Sequence, residues 1–348
     1  MTGMSPIPLA RAEYLALYLD LLGDIGAPFA SEAARYAVPL HLPESGHCYV
    51  PALPAMQCLD AVARREGIET LGFIAGQRIR LKQMSPALLR LLNSTSTLYG
   101  ALQAFCGAAN RENTALRFWI EEEADTIRVR NLLESDAAIL GTEYTEWLAN
   151  MVVVNIVREF AGNRWTPTDM GFRATRVSQN AIAAVLPNTR LRNGQASAFV
   201  QLPRYLLSQS RVASPIQLPS MADDLAAPSD EWRPPTDLID SLRLAIRGYL
   251  PDRYPDVQLA AMLANTSVRT LQRQLTNAGL TYAGLVQQVR VEAASELLGD
   301  PDVTMLEVAG RVGYEDPSNF SRAFRHVTGL SPREFRRYRL SRSMIRVT

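Results

Sequence analysis

Three histidines, three cysteines and one lysine are all that the 348 residues hold of these types. Cys48, Cys58 and Cys106 are too few and odd in number for a disulfide framework. His47 beside Cys48, with Cys58 ten residues on, fits no zinc spacing and lacks a fourth ligand, so inert buried thiols and no cofactor are expected. The sequence also lacks a glycine-rich phosphate loop and a Gly-x-Ser-x-Gly nucleophile turn. A histidine base would have to be His41 or His47, both near prolines in apparent loops, and an enzyme is not expected. No uncharged apolar run approaches the ~18 residues of a membrane helix. The longest, Met151-Val-Val-Val-Asn-Ile-Val157, ends at Arg158. Arg11, Glu13, Asp20 and Asp24 interrupt the first apolar stretch, which argues against a signal peptide and for the cytoplasm.

Charge of one sign is scarce as well, the net being +1, but it is unevenly spread. From Thr236 on there are fifteen arginines against twelve acids, and from Val303 on nine against four. A neutral chain that is basic at one end suits an anionic partner there, although a basic solvated tail gives the same numbers. Between Ser208 and Pro235 five prolines stand among Ser, Asp and Ala with no period, the pattern of a linker. It divides an N-terminal domain, 1–207, from a C-terminal one, 236–348.

The C-terminal domain reads as helical throughout. Asp237–Tyr249 is followed by Pro251 and Pro255, then by a short apolar helix, Val257–Ala264. Ser267 is placed to cap the next helix, Val268–Ala278, which Gly279 stops. Val268, Leu271 and Leu275 face inward there, while Arg269, Gln272, Arg273 and Thr276 line the opposite side. A longer helix, Tyr282–Leu298, comes next, and then the pattern recurs. Thr304-Met-Leu-Glu307 is a capping box whose helix turns Leu306, Ala309 and Val312 inward. Asp316-Pro317 supplies an N-cap with proline at the first helical position. The helix Pro317–Thr328 buries Phe320, Phe324 and Val327 and turns Ser318, Asn319, Arg322, Arg325 and His326 outward. Ser331-Pro332-Arg333-Glu334 is a second capping box. A short helix, a tight turn and a helix with a donor-rich outer face make a helix-turn-helix, here twice.

The stretch from Glu307 to Arg336, with Gly313-Tyr-Glu-Asp-Pro-Ser-Asn-Phe-Ser-Arg-Ala-Phe324 at its centre, closely resembles the signature of the AraC/XylS family of bacterial transcription regulators. Ser267-Val-Arg-Thr-Leu-Gln-Arg-Gln-Leu275 resembles that family's first recognition helix. Gly310 departs from the pattern and weakens its helix. The resemblance implies a bilobed all-α domain in which a stiff helix joins two helix-turn-helix units that enter successive major-groove segments of double-stranded DNA, about 34 Å apart. It makes Arg269, Gln272 and Arg273, with Ser318, Asn319 and Arg322, the expected base readers. Arg suits guanine O6/N7, and Asn or Gln suits adenine N6/N7. Arg325, His326, Arg336 and Arg337 are expected on phosphates, with a plain solvated residue as the alternative for His326.

The first 207 residues mix helical stretches (Leu9–Ile25, Leu53–Arg65, Leu98–Ala109, Leu140–Phe160) with strands. Ala115–Glu121 and Thr126–Leu132 alternate around an acidic turn as a hairpin, and Met170–Arg173 and Ala198–Gln201 are further strands, so the domain is α+β. Leu71-Gly-Phe73, Ser94-Thr-Ser-Thr-Leu-Tyr-Gly-Ala-Leu102 and Arg164-Trp-Thr-Pro167 resemble the arabinose-binding-like N-terminal sensor domain of an AraC subgroup. The likeness implies a small-molecule effector and a homodimer. Tyr99, Trp119, Trp147 and Trp165 are candidates to line the effector pocket, with core packing as the alternative for each. Trp147, Met151 and Val154, at i, i+4 and i+7, read equally as a dimer face or as core. A second reading gives the N-terminal domain no ligand and only dimerisation or contact with RNA polymerase.

Overall fold

The computed structural model describes residues 5–42, 48–134, 141–175, 182–183, 185–212, 216, 234–252 and 254–345, the last four without their side chains. His47 and most of the expected linker, 213–215 and 217–233, lie outside them. Two compact units divide the chain. One is formed by Pro8–Val38 and Ala52–Pro234, the other by Pro235–Thr348 together with Met1–Ile7 and Pro39–Pro51.

The first unit is α+β. Strand β1 (Leu9–Arg11) leads into helix α1 (Ala12–Asp24), so the expected first helix gives up its N-terminal turn to a strand. Then come α2 (Phe29–Arg35), α3 (Ala52–Glu66), α4 (Leu71–Arg78), α5 (Pro86–Asn93) and α6 (Leu98–Ala108). Strand β2 (Tyr49–Pro51) falls in the second unit. The expected hairpin is β3 (Leu116–Glu122) and β4 (Thr126–Leu133), registered from Leu116 opposite Leu133 to Glu122 opposite Ile127. With β5 (Asp169–Gly171), β6 (Arg190–Arg192) and β7 (Ala198–Pro203) it forms a sheet of order β3-β4-β7-β5-β6, antiparallel except for β5 and β6.

Helix α7 (Thr142–Ala161) packs against β4, β7 and α4. Trp147, Met151 and Val154 are 4%, 2% and 0% exposed within this unit, so they are core and not a dimer face. In a helix covered on several sides the apolar residues are not confined to one stripe, and their spacing then says nothing about which side meets a partner. The Trp147 ring centroid lies 4.5 Å from that of Phe172, tilted, and 5.1 Å from that of Phe73, edge to face. Glycine lets α4 lie this close, for a Cβ at Gly76 would come 2.8 Å from Met151 Cγ. Polar contacts fix the register: Asn131 Nδ2 donates to Asn150 Oδ1 (2.9 Å), and Asn150 Nδ2 donates to the Gly171 carbonyl (3.2 Å). Burial raises the Cys58 and Cys106 thiols to about 12, which keeps them protonated and unreactive.

The second unit is built on α8 (Leu238–Tyr249), α9 (Val257–Leu263), α10 (Val268–Asn277), α11 (Tyr282–Leu297), α12 (Met305–Arg311), α13 (Pro317–Thr328) and α14 (Pro332–Ile345). Asp237 caps α8 by accepting from Asp240 N–H (2.9 Å). The buried Ser241 hydroxyl accepts from Ile7 N–H (2.9 Å), and the Asp252 carboxylate accepts from His41 N–H (2.9 Å). Gly248 presses on the Tyr49 carbonyl with no room for a Cβ. On its other side α8 meets α11, where Arg243 donates to Gln288 Oε1 (2.7 Å) and Arg247 holds the Glu296 carboxylate with both terminal nitrogens.

Candidate nucleic-acid interface

Each of two helix pairs in the second unit is fixed by local chemistry before any tertiary contact is counted. In the first, Asp256 caps α9 by accepting from Leu259 N–H (2.7 Å). Asn265 turns the chain at φ +48°, and Thr266 N–H donates back to the Ala261 carbonyl (2.9 Å). Ser267 Oγ then accepts from Thr270 N–H (3.1 Å) and starts α10. Leu271 and Leu275 are fully buried, each contributing about 1.5–3 kcal/mol by leaving water. Arg269, Gln272, Arg273 and Thr276 are exposed on the other side. Gly279 at φ +74° ends the pair, with Leu280 N–H returning to the Leu275 carbonyl (2.8 Å).

The second pair repeats the plan. Thr304 Oγ1 accepts from Glu307 N–H (3.2 Å) while Glu307 Oε2 accepts from Thr304 N–H (2.7 Å). These bonds, chiefly the backbone one, hold the Glu307 carboxyl below the ordinary carboxylate range. Gly313 turns at φ +78°, and Asp316 Oδ1 accepts from Ser318 N–H (2.8 Å) to open α13 at Pro317. Phe320 and Phe324 are buried; Ser318, Asn319, Arg322, Arg325 and His326 are exposed.

Two expected core residues are not core. Leu306 is 67% and Val327 46% exposed, since Val308 takes the inward place in α12 and the last turn of α13 runs past the helices that cover Phe320 and Phe324.

Helix α11 stands between the pairs. Its sixteen residues span about 24 Å at ~1.5 Å per residue. The Tyr282 hydroxyl donates to the Pro255 carbonyl (2.7 Å) at its start. Further on, Arg290 donates to the Gly313 carbonyl (2.8 Å) and lies over the rings of Tyr314 (4.4 Å) and Tyr254 (5.1 Å). The Tyr314 hydroxyl donates to Gln287 Oε1 (2.9 Å). The strut is thus tied to the turn of the second pair and to the chain just before the first. Neither Arg290 nor Tyr314 stands out in the sequence, because only the fold brings them together.

Among the described residues, Arg269, Arg273, Arg322, Arg325 and Arg337 form no ion pair, unlike Arg117, Arg128 and Arg130 of β3 and β4, which pair with Glu134, Glu123 and Glu121. An exposed guanidinium without a carboxylate keeps all its donors for an incoming anion. Arg322 has one local partner, donating to Asn319 Oδ1 (2.5 Å), so these two side chains are already aligned. Arg336 differs from the other expected phosphate contacts. It is half-buried, and its Nη2 donates to the Val303 carbonyl (2.6 Å), tying α14 to the loop before α12.

The four aromatic residues proposed for an effector pocket are spread over the first unit. Tyr99 is half-buried on α6, Trp119 lies under the Arg117 guanidinium on β3, Trp147 is in the core, and Trp165 follows α7. A cavity in that unit, among the described residues, is lined by none of them.

Residues 260–338 match the helix-turn-helix domain family, and residues 26–210 match the arabinose-binding domain of AraC transcription regulators. The ornithine utilization regulator of Pseudomonas aeruginosa is 36% identical over 103 residues, 29% of this chain and 30% of that protein. The match therefore spans less than a third of that relative's length. The HTH-type transcriptional regulator VirS of Mycobacterium tuberculosis is 21% identical over 342 residues, 95% of this chain and 97% of that protein. Among solved structures, the transcriptional regulator CdpR of Pseudomonas aeruginosa has a TM-score of 0.39 at 21% identity, covering 89% of this chain and 96% of that one. No described helix is long and apolar enough to cross a membrane.

Proposed function

The chain belongs to the AraC family of transcription regulators with an arabinose-binding-type N-terminal domain, and we propose that it binds a specific double-stranded DNA site through two helix-turn-helix units, α9–α10 and α12–α13. The observation that carries this is the shared design of α10 and α13. Each follows a capped tight turn, buries one apolar face, and presents unpaired arginine and amide donors on the other. In this reading α11 is the linker helix, and Arg269, Gln272, Arg273, Ser318, Asn319 and Arg322 read base edges. Arg325, His326 and Arg337 hold phosphates; Arg336 serves instead to position α14. The N-terminal unit binds a small-molecule effector that alters DNA binding or contact with RNA polymerase, in the cytoplasm where the DNA is.

The test uses a DNA site selected from random sequence by the full-length protein. Arg273→Ala and Arg322→Ala should each cost roughly 1–3 kcal/mol on that site and relax preference at one base pair, with far less change on random DNA. Equal losses on both DNAs would show that these arginines touch only phosphate. The proposal includes a homodimer, because a net charge of +1 gives modest phosphate attraction and a second copy adds effective concentration. Light scattering over a concentration series should give twice the chain mass at tens of micromolar; a monomer there removes that part.

A further inference from the structure

The first unit contains a cavity of about 670 Å³, within the ~300–1,000 Å³ of metabolite-sized sites. Helix α7 supplies one wall with Met151, Asn155 and Arg158, at i, i+4 and i+7, so that an apolar group, an amide and a cation follow one another along a single face. The turn after α4 supplies Arg80 and Lys82, the chain's only lysine. Ile216 adds apolar surface and is seated by two bonds to Asn93, of 2.8 and 3.0 Å.

Three cations therefore face one cavity, and among the described residues none of them is ion-paired. The wall's one carboxylate, Glu159, is already engaged by Arg211 Nη1 (3.3 Å). The two guanidinium heads are held in place. Arg158 Nε donates to the Trp165 carbonyl (3.0 Å), and Arg80 Nη1 donates to the Ile79 carbonyl (3.0 Å). Asn155 Nδ2 donates to the same Ile79 carbonyl (3.0 Å), which leaves its Oδ1 as an acceptor. Burial, and then the like charge of Arg80, disfavour the charged form of Arg158. An anion between the guanidiniums offsets that repulsion, while a neutral ligand does not.

We propose that this cavity is the effector site and that it takes a small organic anion, a carboxylate or phosphate group held by Arg80, Lys82 and Arg158 with an apolar body against Met151 and Ile216. The inference rests on the reading of this unit as ligand-sensing and gives that ligand its chemical class.

The test is thermal melting and calorimetric titration of the full-length protein with octanoate, butyrate and inorganic phosphate, and with octanol and arabinose as uncharged counterparts. At least one anion should raise the melting temperature saturably while octanol does not, and octanoate should bind more tightly than butyrate. Arg158→Gln should weaken that anion at least tenfold. Lys82→Met, at an exposed position where folding is not at stake, should weaken it severalfold. No saturable anion response, or one that both variants leave unchanged, overturns the anion site. Saturable binding of arabinose or octanol that the variants do not alter overturns it too, yet leaves the sensing reading intact. If an anion binds as expected but DNA affinity and transcription do not respond, the site stands and the sensing reading fails.

Discussion

Glu146 sits 4% exposed on α7, its carboxylate accepting from the backbone N–H groups of Arg173 (3.1 Å) and, weakly, Ala174 (3.5 Å). Burial outweighs these bonds and raises its pKa to about 7. The unfolded chain loses this proton near 4.3, the folded one near 7, so folding takes up a proton between those values. Stability from this group is therefore full below about pH 4 and falls as pH rises through 7, by up to about 4 kcal/mol at ~1.4 kcal/mol per unit. Glu146→Gln keeps an acceptor for Arg173 and removes the ionisation. The variant should melt higher than the parent at pH 8, and the gap should close toward pH 5. A constant gap across that range would place the effect in packing and not in charge. The sequence gives no sign of this, since a glutamate next to Trp147 in a mixed helix reads as surface until the fold covers it.

Helix boundaries were the most legible feature, because neighbours in sequence decide them. Ser267, Thr304 with Glu307, Asp316 with Pro317, and Ser331 with Glu334 all form the bonds expected of caps. Burial along a helix was less legible, as Leu306 and Val327 show, since periodicity cannot say where the opposing surface ends. The outward faces of α10 and α13 were readable for the opposite reason: nothing in the chain had to cover them. The effector cavity was not, because Arg80, Lys82 and Arg158 are separated by most of the unit's core and only the packing of α4 on α7 brings them round one space. One departure belongs to an element as a whole. Gly310 lies inside α12, and a Cβ there would meet nothing within 4 Å. Gly310→Ala should therefore stabilise the C-terminal unit by roughly 0.5–1 kcal/mol, since alanine loses less backbone freedom on entering a helix. Urea unfolding followed by circular dichroism measures it; an unchanged midpoint would mean that α12 is not helical in solution.

The chain passes between the two units at 7–8, 38–39, 51–52 and 234–235. Ile7, His41 and Tyr49 belong by sequence to the N-terminal half, yet they pack on α8 or bond to Asp252 just after it. Cutting the backbone once within 217–233 therefore does not free the DNA-binding unit, whose own strand β2 stays covalently with the other fragment. With a protease recognition sequence inserted there, the cleaved halves should co-elute on gel filtration in native buffer and separate in denaturant. Independent elution of a helical C-terminal fragment would show that α8 holds its partners too weakly to matter. The same feature sets a rule for chimaeras. Exchanging sensor domains at the proline-rich stretch transplants α8 without the two segments that cover it, leaving Ser241 facing water and the surface beside Gly248 bare. A working graft has to carry residues 1–7 and 39–51 along with the DNA-binding helices.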